Sequence, residues 1–134
     1  MRIFAALCLT LSFGSAYCET PEQIGRKYIT EATAQQPAFA ASAKRGSELF
    51  RQRFKVNDKM PSCTSCHTDN PLNPGQHAVT GKSIKPLAIA ANRERFSDPA
   101  KVEKWFGRNC REVLGRECTP AEKADFVVYM SEVR

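Results

Sequence analysis

Apolar residues recur at intervals of three and four in four stretches of this 134-residue chain. That spacing lines them up on one face of a helix. The first stretch carries Ile24, Tyr28 and Ala32. Thr20 caps it, Pro21 sits in its first turn, Gln23 can reach back to the cap, and Gln35-Gln36-Pro37 ends it. The second runs from Ser42 through Arg53 with Ala43, Gly46, Leu49, Phe50 and Phe54 on one face. Gly46 is costly inside a helix and makes sense where another helix crosses closely. The third starts at Ser97-Asp98-Pro99 and places Val102, Trp105, Phe106, Asn109 and Val113 on one side. The fourth opens with a capping box, Thr119-Pro120-Ala121-Glu122, and carries Phe126, Val127, Met130 and Val133. Between the second and third, residues 55–62 read as a polar loop and Cys63–Thr68 as one short helical turn. Asp69 to Asp98 holds Pro71, Pro74, Gly75, Gly81 and Pro86 and reads as a long connection with little regular structure. A connection of that length in a small domain is functional or wraps around something. No convincing strand and no internal repeat is present, so the expected class is all-α, in one domain.

The first eighteen residues read differently. Met1-Arg2 is a short positive start, Ile3 to Phe13 is apolar and uncharged, and Gly14, Ser15 and Ala16 are small. That is the pattern of a secretory signal peptide. Ala16-Tyr17-Cys18 places the cut after Cys18, with a cut after Ala16 as second choice. The division is therefore 1–18 signal and 19–134 domain, exported to the periplasm. The apolar run is too short for stable membrane insertion. The whole chain has 20 Lys+Arg against 14 Asp+Glu, a formal charge of +6; losing Arg2 leaves +5. This modest excess suits an acidic protein partner. The charges are too dispersed for a nucleic-acid partner.

Cleavage leaves four cysteines, 63, 66, 110 and 118, which allow three pairings in an oxidising compartment. Cys63, Cys66 and His67 form C-x-x-C-H, the attachment pattern for haem c. Two thiols in one tight turn add to the two porphyrin vinyl groups, and His67 meets the iron as proximal ligand. Cys110 and Cys118 would then pair with each other. A thioredoxin-like C-x-x-C needs a βαβ setting that the pattern lacks. A zinc site needs further ligands, and Cys110/Cys118 do not have the spacing of a second half-site. One covalent haem c is the expected cofactor.

The other face of the iron is harder to fill. Beyond the signal the chain has only Met60 and Met130. Met60 stands three residues before Cys63, pinned on the proximal side, and Met130 is expected in the core. Ordinary His/Met ligation is therefore not expected. His77 is one alternative, giving a bis-His electron shuttle through His67 and His77; it could equally be a loop histidine or bond a propionate. GQHAVTGKS (75–83) superficially resembles a phosphate-binding loop, but five residues rather than four separate its glycines and no strand precedes it. Lys82 and Lys85 there are expected to face a propionate or an acidic partner.

Three longer stretches carry a resemblance: TGKSIKPLA (80–88), RFSDPAKVEKWFGRNC (95–110) and GRECTPAEKADFVVYM (115–130). With the haem motif they resemble the SHP-type (sphaeroides haem protein) monohaem cytochromes c across roughly residues 20–134. The resemblance implies a class I cytochrome c fold with one haem. It implies a distal iron ligand at Asn109, in W-x-x-x-N-C, followed by a Cys110–Cys118 disulfide. It further implies that Asn109 leaves on reduction, that O₂, NO or CO then binds, and that a dihaem cytochrome c is the electron donor. The residues agree with that role. Asn109 lies one helical turn after Trp105 on the same face, where a buried amide needs partners. An amide oxygen is a neutral, hard donor that prefers ferric to ferrous iron. Trp105 is either core or a wall of the distal pocket. A haem enzyme reducing peroxide or hydroxylamine at the same labile position is the remaining alternative, less favoured than electron transfer with ligand binding.

Overall fold

The computed structural model describes residues 18–134. The expected signal segment lies outside them except for Cys18, which is exposed. The elements in chain order are α1 (Pro21–Gln35), α2 (Ala43–Arg51), α3 (Thr64–His67), β1 (Gly75–Gln76), β2 (Ser83–Ile84), α4 (Pro99–Leu114) and α5 (Pro120–Glu132). The described residues are all-α apart from one very short hairpin.

The helix starts follow their caps. Thr20 and Gln23 close a reciprocal box at α1, as Thr119 and Glu122 do at α5, each with proline at the first position. Such a box satisfies two backbone donors that no intrahelical carbonyl can reach. Ser42 and Asp98 each cap with one side-chain bond, to Arg45 N and Lys101 N. Gly115, at φ 75°, lets the chain leave α4 in the left-handed conformation.

α5 is the central element and packs on both α1 and α2. Its buried residues, Ala124, Asp125, Val127, Tyr129 and Met130, spread around the helix rather than forming one stripe. The stripe expected from Phe126, Val127, Met130 and Val133 is thus too narrow, because two helices lean on α5 at once. Gly46 explains the α2 crossing. A Cβ there would stand 2.1 Å from the Asp125 carbonyl oxygen, so only glycine lets the backbones approach. Asp125 also receives Ser42 N at 2.7 Å and Arg45 Nε at 2.7 Å, fixing the start of α2. α4 joins through rings: Phe106 meets Tyr28 of α1 and Phe126 of α5, each edge-on at 5.7 Å.

The long connection holds the hairpin that the sequence pattern does not predict. GQHAVTGKS with the following Ile84 forms it, Gly75 lying opposite Ile84 and Gln76 opposite Ser83. Two residues a side are too few for alternation to show. The connection then returns to the frame. Leu87 N and Ala88 N both donate to Pro71 O, and Ile89 N donates to Met130 O.

Candidate haem site

Cys63, Thr64, Ser65, Cys66 and His67 make one turn, closed by Cys66 N and His67 N on the Cys63 carbonyl at 3.3 and 3.1 Å. Ser62, buried just before it, gathers the Thr64 and Ser65 hydroxyls at 2.7 and 3.3 Å. Immediately after His67, Thr68 takes φ 61°, a conformation a β-branched residue holds at a cost of about 1–3 kcal/mol. The hairpin presses on the same turn. A Cβ at Gly75 would stand 2.0 Å from the Cys66 carbonyl oxygen. Ala78 N donates to Cys66 Sγ at 3.3 Å.

Cys63 and Cys66 are half-buried free thiols. Burial pushes the Cys63 thiol up to about 11, the reverse of a redox-active C-x-x-C, whose thiol is activated by a lowered pKa. The His67 imidazole makes no hydrogen bond to protein among the described residues. Burial, then the charge of Arg95, pushes it down to about 4, so its ring is neutral, as an iron ligand must be. Among the described residues no three His, Cys, Asp or Glu side chains converge on one point as zinc requires. Two free thiols a turn apart with a neutral imidazole beside them instead suit the vinyl groups and iron of a haem.

The remaining predicted residues fall into two groups. On α4, Val102, Cys110 and Val113 are buried. Cys110 is bonded to Cys118 just ahead of α5, with their Cα atoms 5.6 Å apart. Trp105 and Asn109 face elsewhere. Trp105 is 45% exposed and is not core, contrary to that half of the expectation. Its ring carries the Arg108 guanidinium at 5.7 Å from the centroid. The Asn109 side chain is half-buried, one residue before the disulfide anchor, and bonds no protein group among the described residues. Met130 is fully buried and Met60 nearly so. His77 and Lys82 lie in the hairpin. His77 Nδ1 accepts from Val79 N and Thr80 N at 3.2 Å each, so that nitrogen is committed to its own turn. Lys82 is exposed, and Lys85 reaches Glu94 at 3.5 Å in open solvent. Sequence reasoning missed Gly75 as the contact that seats the hairpin. It also missed Arg95, the nearby charge felt at His67, which opens the 95–110 stretch but received no role there.

Comparison with known proteins agrees with this reading. The family described as a domain of unknown function (DUF1924) matches residues 36–130. The cytochrome c-type protein SHP of Cereibacter sphaeroides is 45% identical over 113 residues, covering 84% of this chain and 83% of that protein. Cytochrome c'' of Methylophilus methylotrophus is 42% identical over 111 residues, covering 81% and 77%. The structure of oxidised SHP, an oxygen-binding cytochrome c, superposes with TM-score 0.77 at 42% identity, over 85% of this chain and 97% of that one. The solution structure of cytochrome c'', which addresses haem-ligand detachment, superposes with TM-score 0.75 at 41% identity, over 85% and 94%. Haem c is therefore the cofactor, and Cys63 and Cys66 are placed to form its thioethers. The chain belongs to the SHP-type family of monohaem cytochromes c, with the class I cytochrome c fold.

Proposed function

We propose that this is an exported, periplasmic cytochrome c whose haem iron takes His67 on one face and Asn109 on the other. Asn109 lets go on reduction, and a small molecule such as O₂, NO or CO takes its place. The haem supplies one-electron exchange and an axial position; the chain decides who occupies that position. His67 offers a neutral imidazole. Asn109 offers an amide oxygen that favours the ferric state and weakens its hold on the ferrous one. The Cys110–Cys118 bond ties the next residue of α4 to the start of α5, which limits how far Asn109 can swing. A redox partner delivers the electron, and by family resemblance this is a dihaem cytochrome c.

The observation that carries the reading is Asn109 itself. A half-buried amide beside an exposed tryptophan, with no protein hydrogen bond among the described residues, lacks a structural reason to be there. Oxygen binding by SHP and haem-ligand detachment in cytochrome c'' supply the precedent. The His67/His77 pair has less in its favour, because His77 is held in its turn by two backbone donors.

The test is a set of oxidised and reduced spectra with and without CO. The expected ferric protein is six-coordinate, and the reduced protein binds CO. Asn109→Ala should give an open or water-bound ferric iron, while His77→Ala should look like wild type. A reduced protein that ignores CO, or unchanged ferric spectra in Asn109→Ala, would sink the proposal.

A further inference from the structure

Arg95 is a charge that the protein has partly withdrawn from water without giving it an acid. Its side chain is half-buried, and it takes part in none of the ion pairs among the described residues. Nε donates to Pro86 O at 2.8 Å and Nη2 to Lys85 O at 2.6 Å. Asn92 Nδ2 shares the Pro86 carbonyl at 3.2 Å. Carbonyl dipoles orient a guanidinium but do not neutralise it, and an unneutralised cation out of water is costly. The segment that holds Arg95 is tied to the haem motif, because Leu87 N and Ala88 N bond Pro71 O, four residues past His67.

Resting on haem c as the cofactor, we propose that Arg95 holds a haem propionate, as the positioning residue that orients and neutralises one carboxylate edge of the porphyrin. Haem c brings two carboxylates on the porphyrin edge opposite its vinyl groups, and covalent attachment at Cys63 and Cys66 fixes where that edge lies relative to the turn. A guanidinium fork matches a carboxylate in two parallel hydrogen bonds, and the backbone carbonyls of Pro86 and Lys85 hold the fork ready. Lys82 and Lys85, the sequence-based candidates for this task, do not compete: Lys82 is exposed and Lys85 meets Glu94 with both side chains at least 75% exposed. Reduction adds an electron to the iron. A cation that cancels a propionate therefore favours the ferrous state and raises the midpoint potential.

The experiment compares holo wild type, Arg95→Gln, Arg95→Lys and Asn92→Ala by spectroelectrochemical midpoint, with covalent haem verified by pyridine haemochrome. Arg95→Gln keeps a donor for the carbonyls and loses the charge; its midpoint should fall. Arg95→Lys should lie between it and wild type. Asn92→Ala, which loosens the same carbonyl without changing charge, should match wild type. An unmoved midpoint in Arg95→Gln overturns the assignment, as does an equal fall in Asn92→Ala, which would make the effect one of loop packing. Should Arg95→Gln fail to accumulate, Arg95→Lys decides: a lowered midpoint supports the assignment and an unchanged one overturns it. Wild-type protein without haem would sink the cofactor reading itself, whereas holo protein indifferent to Arg95→Gln sinks only the role of Arg95.

Discussion

The α2–α5 crossing and the connection from 61 to 98 are each closed by a glycine pressed against a carbonyl oxygen, Gly46 on Asp125 and Gly75 on Cys66. Around Gly46 the helices satisfy their own backbones, and rings fill the seam: Phe50 meets Tyr129 at 5.9 Å and Phe126 at 6.2 Å. Around Gly75 no residue of the hairpin is buried, although Leu87, Ala88 and Phe96 later in the connection reach the core. The backbone is held by bonds to distant acceptors, among them Cys66 Sγ, Pro71 O and Met130 O. The helical seam owes its shape to buried area, the hairpin to a few placed contacts. Damage to the first should spread through the fold, and damage to the second should stay at the haem site.

The largest effect expected is that of Phe50→Ala, fully buried in the seam. It should cost about 3–5 kcal/mol, read as a lower urea midpoint by far-ultraviolet circular dichroism. A loss below about 1 kcal/mol would mean that stability is not seated in the helical frame. Next comes the pair of glycines. Gly46→Ala should destabilise by about 3 kcal/mol, because neither backbone can yield without parting the helices. Gly75→Ala meets an equally close carbonyl but in a hairpin of two-residue strands outside the helical frame. It should leave the helix content of the expressed protein intact while lowering the amount of haem attached. If both variants lose helix alike, the contrast between the regions fails.

That contrast also explains what the sequence could and could not disclose. The helices were legible because their causes are local: caps at Thr20 and Thr119, prolines at first positions, and apolar residues at helical spacing. Gly46 was legible as a crossing for the same reason, since a glycine inside a periodic helix needs an explanation. The haem motif was legible because attachment chemistry fixes three letters within five adjacent positions. The hairpin was not, because strands of two residues carry no period. Trp105 was ambiguous, because spacing puts core and site residues on adjoining strips of α4 and does not say which strip faces the other helices. Arg95 was invisible. Its position depends on carbonyls nine and ten residues earlier and on a loop folded back on Pro71, which no local rule encodes.

The smallest effects expected are electrostatic, and they separate the two regions again. Glu103 of α4 receives Tyr28 Oη at 2.7 Å and Lys123 Nζ at 2.8 Å, so one carboxylate links three helices. Burial alone would push it up, but the hydrogen bonds from Lys123 and Tyr28 and the charges of Lys123 and Lys27 outweigh burial and hold it below its ordinary 4.5. A carboxylate whose folded value is depressed stabilises fully above its unfolded value and loses that contribution as pH falls through the folded one. Glu103→Gln should therefore cost about 1 kcal/mol near neutrality, discounted for partial exposure, and the gap from wild type should close as pH falls below the ordinary 4.5 and through the lower folded value. In the connection, Glu94 and Lys85 meet at 3.5 Å with both side chains in solvent. Glu94→Gln should stay within about 0.5 kcal/mol of wild type. Urea titrations of the three proteins from about pH 3 to 7 decide it: a pH-independent gap for Glu103→Gln would mean that its carboxylate charge does not bind the helices together, leaving packing alone to hold α4 against α1 and α5.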